Sequence, residues 1–87
     1  MTRMGLPGEE YVNQGLIDLG EGRETISALL VAIGAPRLRQ MGINVPEHRI
    51  DSPEHRLYAK LANEDRASAH SRYNALIQRL VSFERAY

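Results

Sequence analysis

The stretch from Glu54 to Tyr87 contains neither glycine nor proline, whereas all seven glycines and all four prolines lie in the first 53 residues. Gly and Pro are the strongest local breakers of regular structure. A stretch this long without either, rich in Leu, Ala, Arg and Glu, has room for one or two substantial helices. It also carries four of the five aromatic residues, Tyr58, Tyr73, Phe83 and Tyr87. The back of the chain therefore reads as helical framework, and the front as shorter helices joined by turns.

Two stripes of apolar residues run through the framework. Leu57, Tyr58, Leu61 and Ala62 form the first, and Ala69, Tyr73, Leu76, Ile77, Leu80, Phe83 and Tyr87 the second. Between them lies a polar block, Asn63-Glu64-Asp65-Arg66. At about 100° per residue the two stripes differ in phase by roughly 60°, and Asp65 would fall on the apolar face of a continuous helix. An unbroken helix over 54–86 would also be about 50 Å long, in a domain whose radius of gyration should be about 12 Å. The sequence thus predicts a break near 63–66, with Asp65 capping the last helix.

In the front half, Leu6-Pro7-Gly8-Glu9-Glu10 is a helix entry, with Pro in the first turn and two carboxylates at the positive end of the dipole. Val12, Leu16 and Leu19 recur on one face, Ile17 is read as widening it, and Gly20 and Gly22 end it. Thr25 caps a second helix. Ile26, Leu29, Leu30 and Ile33 give its buried face, and Val31 and Ala32 make it apolar nearly all round, which marks a helix buried on every side. Gly34 or Pro36 closes it. The segment 36–41 forms a short helical turn, either separate or continuous with the second helix across a kink. Ile43 to Pro46 is extended, and Ser52 or Asp51 caps the third helix with Pro53 at its first position. The fold class is all-α: four main helices at about 8–19, 25–34, 53–63 and 66–86, plus the turn at 36–41, in a single helical domain over 1–87.

A chain of 87 residues buries only about 60–65% of its unfolded surface, so added burial through oligomerisation is a natural source of stability. The absence of cysteine removes disulfides, thiolate metal sites and cysteine nucleophiles. Met1 to Gly5 lacks the apolar core of a signal peptide. The apolar run Ala28–Ala35 falls far short of the ~20 residues of a membrane span. A cytoplasmic location is expected. Eleven basic and eleven acidic residues cancel, which argues against a nonspecific nucleic-acid binder. The front is acidic (Glu9, Glu10, Asp18, Glu21, Glu24 against Arg3, Arg23) and the back basic, so ion pairing between them is expected.

Three constellations could carry chemistry. Pro46-Glu47-His48-Arg49 recurs as Pro53-Glu54-His55-Arg56, and histidine with carboxylate is a metal-ligand set. On one helix the two histidines would lie about 10 Å apart, too far for one metal, so sharing needs a folded-back loop with His70 as a third ligand. Arg49 and His55 could instead act on RNA, Arg on the phosphate and His in proton transfer at a ribose 2′-hydroxyl. This metal- or RNA-acting site at Arg49, His55 and His70 is the alternative function. A helix-turn-helix over 25–41 would present Arg37 and Arg39 on a second helix too short to read a groove.

The leading expectation is a noncatalytic interaction protein that self-associates as a homodimer through its last helix, with no cofactor or metal. Its contact residues are read as Arg72, Tyr73, Arg79, Phe83 and Tyr87, because arginine and aromatic residues dominate interface hot spots. Val81 lies off the main stripe and widens the apolar surface. Cover for Phe83 and Tyr87 could come from the first helix or from a partner.

Overall fold

Breaker placement and apolar periodicity resolve, in a computed structural model that describes residues 6–87, into four helices. They are α1 (Glu9–Gly20), α2 (Ile26–Gln40), α3 (Pro53–Glu64) and α4 (Ala69–Ala86). Residues 1–5, on which the leader reading and the Arg3 charge rest, lie outside the described residues. Among the described residues there is no strand, and no helix is long and apolar enough to cross a membrane.

Helix α2 is the centre of the core. Ala28, Leu29, Leu30, Val31 and Ala35 are at most 2% exposed, and α1, α3 and α4 all pack on α2. Thr25 caps it as expected, its hydroxyl oxygen accepting from the Ala28 amide at 3.1 Å. The helix does not close at Gly34. It runs through Pro36 to Gln40, so the turn at 36–41 is its C-terminal part. An interior proline costs a helix about 3 kcal/mol, and full burial of one leucine returns about 1.5–3 kcal/mol. Leu38, 0% exposed, would lose its place in the core if the helix ended early. The end comes at Gly42, left-handed at φ 93°, where the Ile43 amide donates back to the Leu38 carbonyl at 3.0 Å. Gly22, at φ 77°, ends α1 in the same way, with Arg23 donating to the Asp18 carbonyl at 2.8 Å.

Helix α1 meets α2 through Gly15. A Cβ there would lie 2.3 Å from the Ser27 carbonyl oxygen and 2.4 Å from a Val31 methyl. Ile17 is two residues on, about 200° around the helix, so this approach turns it outward. It is 52% exposed and does not widen the buried stripe.

The break between α3 and α4 falls where the phase shift places it. Helix α3 ends at Glu64, and Asp65 closes the next turn by accepting from the Ala67 amide (3.1 Å) and the Ser68 hydroxyl (3.0 Å). Residues 66–68 therefore form that turn instead of the first turn of α4, and Ser68 holds the cap position. At the start of α3, Ser52 stands at the cap with Pro53 following, but its backbone is left-handed (φ 49°) and its side chain makes no capping bond. Between front and back, Arg56 Nη1 bonds both Glu24 carboxylate oxygens, at 3.0 and 3.1 Å.

Gly15→Ala should destabilise the protein. The added methyl meets backbone, which no rotamer change relieves, and overpacking costs about 1–3 kcal/mol against a helix-propensity gain of about 1 kcal/mol. A contact of 2.3 Å with a carbonyl oxygen places the cost in the upper half of that range, so a net loss of about 1–2 kcal/mol remains and lowers the thermal midpoint by several degrees for a domain of this size. A calorimetric scan with an unchanged or higher midpoint would contradict the close packing of α1 on α2.

Candidate functional site

The five residues nominated on the last helix occupy separate settings. Phe83 is 3% exposed and belongs to the core. Leu6, Val12 and Leu16 line a recess with Phe83 and Tyr87, so the first helix and its approach cover Phe83 within the chain. What brings them close is Gly8, whose left-handed backbone (φ 74°) lies where a Cβ would sit 2.5 Å from the Arg79 carbonyl oxygen. Phe83 is therefore not available as a surface contact. Tyr87 rests on it, ring centroids 5.5 Å apart, and stays 61% exposed.

Arg79 and Arg72 are engaged inside the chain. The Arg79 guanidinium lies over the Tyr11 ring, 5.5 Å from its centroid. Arg72 bonds Glu64 at 2.9 Å, an exposed pair that bridges the turn between α3 and α4. Tyr73 is half-buried against Tyr58, centroids 5.7 Å apart, and Tyr58 in turn meets the His70 ring edge-on at 6.5 Å. Burial pushes the Tyr73 phenol above its usual range, with the nearby Glu54 carboxylate adding to the effect.

A second row on α4 was less visible from the sequence. Leu76, Leu80 and Phe83 point into the core, while Tyr73, Ile77 and Val81, at i, i+4 and i+8, stay partly exposed beside them. Ile77 and Val81 form one wall of an open groove whose other wall is α2, through Ile33, Pro36 and Arg37. Gly34 makes this approach possible: both Leu80 methyls would lie 3.0 Å from a Cβ built there. Glu84 completes the α4 wall. Ile33 and Ile77 are read from the sequence as buried-face residues, and Arg37 only as part of a helix-turn-helix. The available signal was a helix apolar on every side with only three others to cover it.

The alternative set divides. Arg49 lines an open polar recess with Arg39, Asn44, Glu47 and His48, and neither His55 nor His70 is among the side chains lining it. The Arg39 guanidinium spans to the Val45 and Pro46 carbonyls, 3.3 Å from each. His48 accepts from the Ile50 amide at 3.4 Å, His55 stands exposed in the first turn of α3, and His70 lies beside Tyr58 and Asn74. Among the described residues no group of three or more His, Asp or Glu side chains is arranged to hold a metal ion.

Asp18 is the one buried charged side chain among the described residues, at 3% exposure. Its carboxylate accepts from the Thr25 hydroxyl at 2.6 Å and from Gln14 at 3.0 Å, and it pairs with Arg23 at 3.2 Å. The Thr25 bond, more than any other cause, holds its pKa below the usual range; burial opposes this, and Gln14 and Arg23 support it. Every partner is local, so this network fastens the end of α1 to the cap of α2.

No family model matches the chain, and no curated protein or solved structure is significantly similar to it.

Two expectations follow from these placements. Phe83→Ala should cost about 3–5 kcal/mol, as aromatic truncations in cores do, whereas Arg72→Ala should cost less than about 1 kcal/mol; urea denaturation separates the two. Asp18 titrates lower in the folded chain than its unfolded value of about 3.9. Its contribution is therefore fully present above the unfolded pKa and is lost as pH falls through the lower folded pKa. The stability difference between the native protein and Asp18→Asn should be larger at pH 7 than at pH 3, and a difference independent of pH would refute the assignment.

Proposed function

We propose that this chain is a small noncatalytic interaction protein that self-associates through α4. The observation that carries the reading is the row Tyr73, Ile77 and Val81, left partly exposed along one flank of the longest helix and continued by exposed Tyr58 on α3. Contiguous apolar surface of this kind marks interaction sites more often than scattered single residues do. Tyr73 and Tyr58 bring large, rigid contact area with a polar tip, the character enriched at interface hot spots. A second copy is the natural occupant, because a domain this small gains most from added burial.

The test is the mass in solution, measured by light scattering coupled to size exclusion over a wide concentration range. A dimer that gives way to monomer on dilution is expected, and Val81→Asp should shift the balance toward monomer without altering helical content. A strict monomer at the highest reachable concentration would overturn the proposal.

A further inference from the structure

We infer that two copies meet at the groove between α2 and α4, about a two-fold axis running through it, so that Arg37 of each copy faces Glu84 of the other. The inference rests on the self-association reading above and gives it a surface and a symmetry.

The argument starts from the two walls. Helix α2 supplies Ile33, Pro36 and Arg37, and α4 supplies Ile77, Val81 and Glu84. Two of the lining side chains are charged, with opposite signs and on opposite walls. Arg37 is exposed and Glu84 half-buried. Among the described residues neither takes part in an ion pair, although Arg23, Arg56 and Arg72 all do.

A two-fold axis lying in the plane of contact and running along the groove, between the walls, exchanges them. The α2 wall of one copy then lies over the α4 wall of the other. An isologous interface requires each residue to fit its symmetry-related neighbour, and here that requirement is met in both kinds of contact. Apolar Ile33 and Pro36 come over apolar Ile77 and Val81, and Arg37 comes over Glu84 twice, once on each side of the axis. A groove lined by one sign of charge would repel its own copy, and a partner of one sign would meet repulsion from one wall. The balance of signs favours a second copy. The zero formal net charge of the chain adds no long-range repulsion between copies.

Area sets how far the contact extends. The accessible surface is 5769 Å², so a standard interface of about 800 Å² per partner takes roughly a seventh of it. The groove is one part of that; the row on α4 continues it through Tyr73 to Tyr58.

Charge reversal tests the pairing. Arg37→Glu places two carboxylates face to face at both symmetric contacts, and Glu84→Arg does the same with two cations. Like-charge contacts at an interface are costly, so each single variant should self-associate about a hundredfold more weakly than the native protein. Mixing the two variants should restore a one-to-one heterodimer, visible by native mass spectrometry, because one copy then carries only acids at the contact and the other only bases. The double variant should dimerise again by itself. Both positions are on the surface, and circular dichroism of each variant checks that the helices are intact. If the native protein dimerises and the single reversals leave its affinity unchanged, the groove is not the interface and the inference fails while self-association stands. If the reversals weaken the dimer but mixing restores nothing, the reciprocal pairing is wrong. A native protein that stays monomeric removes the self-association reading and the inference together.

Discussion

The constraint on which the structure depends is the need to keep water from α2 on nearly every side. Between Ile26 and Ala35 this helix offers one hydroxyl, Ser27, and otherwise only aliphatic residues and a glycine. A helix of that composition has no face it can leave in solvent, so the other three helices are arranged around it. Backbone proximity does part of the work. Gly15 lets α1 lie directly on Ser27 and Val31, and Gly34 lets the Leu80 side chain of α4 lie against α2. A side chain at either position would hold the neighbouring helix away and open the core.

The number and order of the helices were legible because their signals are local. Proline and glycine positions, a capping threonine and the phase shift across Asn63–Arg66 each act within a few residues. Features decided by tertiary packing were not legible in the same way. Pro36 reads locally as a boundary, yet the buried anchors Ala35 and Leu38 on either side carry α2 through it. Ile17 matches the apolar period of α1 by composition, but the contact at Gly15 fixes the rotation of that helix and leaves it outside. Asp18 counts as one more acid in an acidic front until Thr25, seven residues on, is folded against it.

The candidate surface shows the same division. Arginine and aromatic residues on α4 could be named from sequence because composition identifies them, but their availability depends on what folds over them. Phe83 is taken by α1, Arg79 by Tyr11 and Arg72 by Glu64. Tyr87 and Arg79 stay exposed, and Tyr73 with the less conspicuous Ile77 and Val81 stays partly so, beside the edge of α2. A residue-type argument ranks phenylalanine above isoleucine and valine as a contact, yet in this chain Phe83 is buried while Ile77 and Val81 stay partly exposed.

The groove can be understood as the remainder of the central constraint. Three helices cover α2 over most of its circumference, and the strip they leave runs through Ile33, Pro36, Arg37 and Gln40. At its apolar end this strip is still suited to burial, while its C-terminal end is charged. Leaving Ile33 and Val81 partly wet forgoes part of the roughly 25 cal/mol available for each Å² of apolar surface removed from water, and a small domain has little other burial to draw on. A fifth helix would finish the coverage; so would a second copy, which supplies its own α4 at no further cost in sequence. On the proposed two-fold axis, the same interaction that orders the fold inside one chain, the covering of α2, is completed between chains, and Arg37 and Glu84 set the register in which it happens.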